Sequence, residues 1–171
     1  MDKENFPRKI GEYIVYKKHC VYEIVDIKEE KICGTKKSYY VLKSVYDDRS
    51  AVYVPTDSEV LVSQMTSPFT YEEALAVIDE SKSADVVWKE EVAERFKYFD
   101  ELMQEDSLPR LISAYFLLSL QKEEALRAKK KFFAHDERTM QAAFKLICEA
   151  FAFSLDIKKD AVVPFICDRL S

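Results

Sequence analysis

Two glycines, Gly11 and Gly34, serve a chain of 171 residues. Average usage of about 7% would supply about 12. Glycine enters left-handed backbone without steric cost, and motifs that bring backbone close to a phosphate need several within a few positions. The two here stand 23 residues apart. That spacing excludes the Gly-rich phosphate loop, the dinucleotide fingerprint and the nucleophile elbow. The commoner nucleotide-binding enzymes are therefore out.

Apolar residues make up 48% of the chain, with 11 Phe and 10 Tyr, enough to build a core and to exclude intrinsic disorder. The net charge of −5 argues against bulk, non-specific nucleic-acid binding while leaving room for a local basic patch. Met1-Asp2-Lys3-Glu4 leads into no apolar h-region, and no apolar run approaches about 18 residues. Neither a secretory leader nor a membrane span is expected, and the expected compartment is the cytoplasm. Cys20, Cys33, Cys148 and Cys167 form no CxxC pair, so reduced thiols are expected.

The texture of the chain changes near Pro68. Before it, 13–16, 21–27, 38–45, 51–54 and 60–62 are short runs rich in β-branched and aromatic residues, which predicts five strands. A turn is expected at Cys33-Gly34-Thr35-Lys36, and Asp47-Asp48-Arg49-Ser50 reads as polar punctuation before the fourth strand. Five short strands with short connections suggest a small bent sheet or barrel. After Pro68 the apolar period becomes helical. Thr70-Tyr71-Glu72-Glu73 is a capping box. Ser81 to Asp85 breaks the first helix, and Val92, Phe96, Phe99 and Met103 predict a core stripe on the next. Ser107-Leu108-Pro109 starts a third helix, with Leu111, Tyr115 and Leu118 on one face and Ile112, Phe116 and Leu120 widening it. Asp136 is expected to cap a fourth, striped by Met140, Phe144, Ile147, Phe151 and Leu155, and Asp160 a short last helix with Pro164 in its first turn. The expected class is α+β, with a β domain over 1–68 and a helical domain over 69–171. Residues 1–68 hold 11 Lys+Arg and 11 Asp+Glu, and the remainder 15 and 20, so the whole negative excess sits on the helical half.

Few side chains here point to catalysis. His19 and His135 are the only histidines, and His19 and Cys20, adjacent on a strand, would face opposite sides, so no metal site is expected. No base accompanies any cysteine. The acidic pairs Glu72-Glu73, Glu90-Glu91 and Glu123-Glu124 fit helix first turns and solvated faces better than acid–base work. Neither an enzyme nor a cofactor is expected. The densest positive run is Arg127-Ala128-Lys129-Lys130-Lys131, a collar around a helix end suited to phosphate contact without base readout. Trp88, the single tryptophan, is placed near a helix start, either as a hydrophobic anchor or as an exposed wedge against a DNA base step.

The stretch Lys9-Ile10-Gly11-Glu12-Tyr13-Ile14-Val15-Tyr16-Lys17-Lys18-His19 resembles the opening of the CarD/CdnL family of bacterial transcription regulators, a Gly-Asp-x-apolar-apolar-Tyr-Pro-x-His-Gly pattern. The likeness continues through Ile24 to Ile27, Ile32-Cys33-Gly34, Ser38 to Leu42 and Val52-Tyr53-Val54-Pro55, with Arg95-Phe96-Lys97 resembling a basic-aromatic stretch of the family's helical domain. Lys17 replaces a family proline and Cys20 a family glycine. The resemblance implies a Tudor-like β domain that binds the β subunit of RNA polymerase, a module shared with the transcription-repair coupling factor. It also implies a helical domain contacting promoter DNA beside the transcription bubble. Glu30 and Tyr53 stand where relatives carry polymerase-contacting arginines, and with Lys31 and Arg49 they are the expected polymerase-binding residues. Trp88, Arg127, Lys129, Lys130 and Lys131 are the expected DNA-binding set, although anchoring on Arg95-Phe96 puts Val92 at the family's wedge position and Trp88 about one turn early. Neither a membrane nor a small-molecule substrate is expected as a partner. The alternative is a protein-interaction adaptor that keeps the β module without DNA contact.

Overall fold

The computed structural model describes residues 6–32 and 35–171, with Ile32, Thr35 and residues 48–50 described by backbone alone. The expected turn at Cys33-Gly34 lies outside the described residues. By internal contacts the chain divides into residues 1–68 and 69–171.

The first unit is an antiparallel sheet of β1 (Tyr13–Val15), β2 (Val21–Ile32), β3 (Thr35–Ser44) and β4 (Asp47–Pro55), in the order β1-β2-β3-β4. Each strand follows its predecessor in space, as short antiparallel connections dictate. A register shift between Ile24 and Asp26 marks a bulge in β2. The extra residue reverses the alternation, so Ile24 and Ile27, three apart, both reach the core. That core also holds Ile14, Tyr16, Tyr40, Leu42, Val54 and Met65. The segment before β1 is tied across it. Arg8 donates to Glu12 Oε1 at 2.6 Å and to the Met65 carbonyl, its backbone N–H donates to the Tyr40 hydroxyl at 3.3 Å, and Phe6 meets the Tyr40 ring edge-on. Gly11 has φ +85° while its N–H donates to the Ile24 carbonyl at 2.7 Å, so here glycine is required by the backbone.

The sheet departs from expectation in three places. The expected fifth strand at 60–62 is a helix, α1 (Glu59–Ser63), capped by the Ser58 hydroxyl, which accepts from the Leu61 N–H. A strand would place Val60 and Val62 on one face. Here the adjacent Leu61 and Val62 both pack on the core while Val60 is 69% exposed, an arrangement that a 100° step per residue permits. Consequently the sheet has four strands among the described residues and is open, not a closed barrel. The Asp47–Ser50 run lies inside β4 rather than before it, because the chain reverses at Val45-Tyr46. The Ser44 hydroxyl accepts from the Tyr46 N–H at 3.2 Å, Ser44 pairs with Asp47, and a register slip beside Lys43 absorbs the extra residues.

The second unit is helical: α2 (Tyr71–Glu80), a 3-10 turn at 81–83, α3 (Val92–Gln104), α4 (Leu108–Arg127), α5 (Ala134–Phe151) and α6 (Lys159–Leu170). The capping box at Thr70 and Glu73 is formed on both sides, and Pro109 opens α4 behind Ser107. Helix α4 is central, packing on α2, α3 and α5 through Leu111, Ile112, Ala114 and Leu118, whereas Leu120 faces solvent. Helix α5 buries Met140, Ile147 and Phe151 as its period predicts. Two expected caps are not caps. Asp160 follows the true N-cap, Lys158, and Pro164 sits in the second turn of α6. Asp136 lies inside the first turn of α5 behind Phe133, and it is fully buried.

Glycine scarcity reappears as geometry. Lys17, Lys18, His19, Lys129 and Asp156 all have positive φ, between 45° and 64°. Helix α4 closes with the Lys129 N–H on the Leu126 carbonyl at 3.1 Å and the Lys130 N–H on the Ala125 carbonyl at 2.8 Å. This is the Schellman pattern, with lysine where glycine is the usual left-handed residue.

Candidate functional site

Helix α3 has three buried residues, Arg95, Phe99 and Leu102, at i, i+4 and i+7. The expected stripe of Val92, Phe96, Phe99 and Met103 is thus rotated by one position, and a charged residue lies on the buried face. The reason is Asp136. Arg95 Nε donates to both carboxylate oxygens at 3.3 Å and Nη2 to Oδ2 at 3.2 Å. The two side chains are 4% and 1% exposed. Removing two charges from water costs several kcal/mol per ion, and pairing with further hydrogen bonds offsets it. Arg95 supplies these: Nη1 donates to the carbonyls of Lys89 at 2.8 Å and Glu90 at 3.3 Å. One guanidinium therefore ties α3, α5 and the irregular segment before α3 together.

Trp88 lies in that irregular segment, not at a helix start, and is half-buried. Its ring is stacked by the Arg95 guanidinium, whose central carbon is 4.2 Å from the ring centroid, and is tilted against Phe99 at 6.4 Å. Phe96 and Phe133 also flank the guanidinium, at 5.7 and 5.6 Å. Beside this cluster opens a cleft of about 420 Å³. Its apolar lining includes Trp88, Val92, Phe132 and Phe133. Its charged lining is balanced: Lys130 and Lys131 against Glu90 and Glu124, with Arg95 neutralised by Asp136.

The five expected DNA-binding residues separate into two groups. Trp88, Lys130 and Lys131 share the cleft, and the Lys131 ammonium lies 5.4 Å from the Phe133 ring centroid. Arg127 and Lys129 do not line it. Arg127 pairs with Glu123 one turn back at 3.2 Å, and Lys129 is exposed at the left-handed position. The expected helical collar does not form, because α4 ends at Arg127 and the Schellman closure turns Lys130 and Lys131 toward Trp88. The acidic pairs have structural work. Glu73 completes the α2 capping box, and Glu91 caps α3 by accepting from the Glu94 N–H at 2.6 Å, which holds its carboxyl below the usual range. The Cys148 thiol is buried, and burial pushes its pKa up to about 11, which disfavours the thiolate.

On the β unit, Glu30 and Lys31 are exposed near the far end of the β2–β3 hairpin, Glu30 opposite Lys37 and Lys31 opposite Lys36. Tyr53 is 49% exposed on β4, opposite Val41, which in turn pairs with Asp26. Four residues along β2 and two strands across separate Glu30 from Tyr53, about 13 Å by about 10 Å. They share a sheet but do not form one cluster. The Arg49 side chain lies outside the described ones. The two sheet edges differ. Val15 of β1 bridges Thr66 through N–H to O bonds of 2.7 and 3.1 Å, whereas β4 has no strand partner on its outer side among the described residues.

The sequence reading missed the Arg95–Asp136 pair. The signal was present: stepping back from Phe99 and Leu102 at helical spacing lands on Arg95.

Residues 9–66, about a third of the chain and nearly all of the described β unit, match the family model of the CarD-like/TRCF RID domain. No curated protein matches the chain. The β unit is therefore a CarD-like/TRCF RID domain, as the resemblance from Lys9 onward implied.

Proposed function

We propose that this chain, whose β unit is a CarD-like/TRCF RID domain, is a non-enzymatic cytoplasmic regulator of transcription that docks on the RNA polymerase β subunit. Membership of the RID domain family implies interaction with RNA polymerase and a role connected with transcription. The observation that carries the docking mode is the outer side of β4, which has no strand partner among the described residues, with Tyr53 exposed on that strand. An open edge offers main-chain donors and acceptors to an added strand, and exposed side chains such as Tyr53 supply specificity. Glu30 and Lys31, exposed toward the far end of the β2–β3 hairpin, add a second, separate contact.

In this reading the helical unit touches upstream promoter DNA through the mouth of the Trp88 cleft and modulates open-complex stability. Lys130 and Lys131 supply phosphate contacts and Trp88 an aromatic surface against the minor groove. The charge balance of the cleft favours a second reading, an adaptor that engages polymerase without DNA. A salt titration with promoter duplex separates them. Two phosphate contacts predict affinity falling with a log–log slope of about −2, whereas an adaptor shows no DNA binding at any salt. Lack of binding to the polymerase β-subunit lobe at low salt overturns both readings.

A further inference from the structure

Arg95 is engaged on every side, yet nothing in the fold requires Trp88 to be one of its partners. The carboxylate of Asp136 supplies the counter-charge, and the carbonyls of Lys89 and Glu90 accept from Nη1. Trp88 adds a stack on the guanidinium at 4.2 Å and lies in a segment with no helix or strand hydrogen bonds to fix it. The direction of control follows from this asymmetry. The guanidinium is locked by the buried carboxylate and by two carbonyls of the residues that immediately follow Trp88, whereas among the described residues the indole has ring contacts alone, with Arg95 and Phe99. A planar cation held in place is a template for an aromatic ring, and Arg stacks where Lys, a compact point charge, does not.

We infer that Arg95 is a positioning residue for Trp88: the Asp136-locked guanidinium fixes the indole at the wall of the cleft, beside Lys130 and Lys131. Arg95 itself is only 4% exposed at its side chain. The functional consequence rests on the reading that this cleft contacts promoter DNA, and the placement of Trp88 does not. With Trp88 held, no partner need order it on binding. With Arg95 replaced, that ordering is charged against affinity.

Trp88 is the only tryptophan, so emission excited beyond the absorption band of the 10 tyrosines reports on it alone. Two variants address it. Arg95→Lys keeps a positive charge opposite Asp136 and removes the stacking plane. The pair Arg95→Met with Asp136→Leu removes both charges together, which avoids stranding either one. For either variant, shown by circular dichroism to retain its helices, we expect red-shifted Trp88 emission and stronger acrylamide quenching than in the parent. Affinity for an upstream promoter duplex should fall about fivefold to thirtyfold, the worth of a desolvated cation–π contact. In a Trp88→Ala background the same changes at Arg95 should leave DNA affinity where Trp88→Ala put it, since a positioning residue has nothing left to position. Unchanged emission and quenching in a folded Arg95→Lys chain overturn the inference. So does an equal further loss of affinity in the Trp88→Ala background, the mark of a merely structural role. If quenching rises but Trp88→Ala leaves DNA affinity untouched, the positioning stands and the DNA reading falls.

Discussion

Replacing Asp136 by alanine strands a guanidinium in the helical core, and the cost follows from its surroundings. In the native chain the pair is 4% and 1% exposed, with three N–H to O contacts of 3.2 to 3.3 Å. Removing one partner of a buried pair costs about 3–5 kcal/mol, because the other is left uncompensated. Arg95 keeps its bonds to the carbonyls of Lys89 and Glu90 and its stack on Trp88, which places Asp136→Ala at the lower end, about 3 kcal/mol. For a unit of this size each kcal/mol moves the melting point by about 4–8 °C, so a drop of about 12–24 °C is expected. Far-ultraviolet circular dichroism of the full chain reads it, since the major helices lie in residues 69–171. Arg95→Met with Asp136→Leu should recover most of the loss, because matched apolar replacements of buried pairs are often neutral. A loss below about 1 kcal/mol for Asp136→Ala would refute the reasoning, placing the pair in the range of solvent-exposed bridges.

Lys129→Gly should raise stability by about 0.5–1 kcal/mol in denaturant titration, since relief of left-handed strain of about 1–2 kcal/mol exceeds glycine's added chain entropy. A destabilised variant would show that the Schellman position carries no strain. The Glu137 carboxyl is held below the usual carboxylate range by its hydrogen bond with Lys122, at 2.9 Å. A lowered folded-state pKa stabilises above the ordinary carboxylate pKa, and that contribution is lost as pH falls through the folded value. Glu137→Gln should therefore flatten the acid limb of melting temperature against pH and leave a limb as steep as the parent's only if the bond contributes nothing.

What the sequence made legible was local. The Thr70 capping box, the Pro109 helix start and the α5 stripe are signals within a turn or two, and each stands in the structure where its residues place it. The RID domain was legible because its pattern runs through consecutive strands within residues 9–66. Val60-Leu61-Val62 misled because three apolar residues are too few for periodicity to separate strand from helix. Arg127 to Lys131 read as helix because Lys, Arg and Ala favour it, and no glycine marked the stop at Ala128. The Arg95–Asp136 pair joins residues 41 apart in the chain, and no local rule couples them. A charged residue on an apolar stripe reads as a misfit until its partner is known. The Trp88 cleft inherits that limit, since Arg95 and Asp136 are both part of its lining.

The most direct measurement is equilibrium binding of the full chain to the cognate RNA polymerase β-subunit lobe, with Tyr53→Ala measured beside the parent. Tyr53 is half-exposed on the outer strand, so its truncation should leave the melting temperature unchanged. The account predicts that the parent binds at low salt and that Tyr53→Ala weakens binding by about fivefold or more, as expected for an anchoring tyrosine. A parent that does not bind, or a variant that binds as tightly as the parent, would contradict docking through the β4 edge.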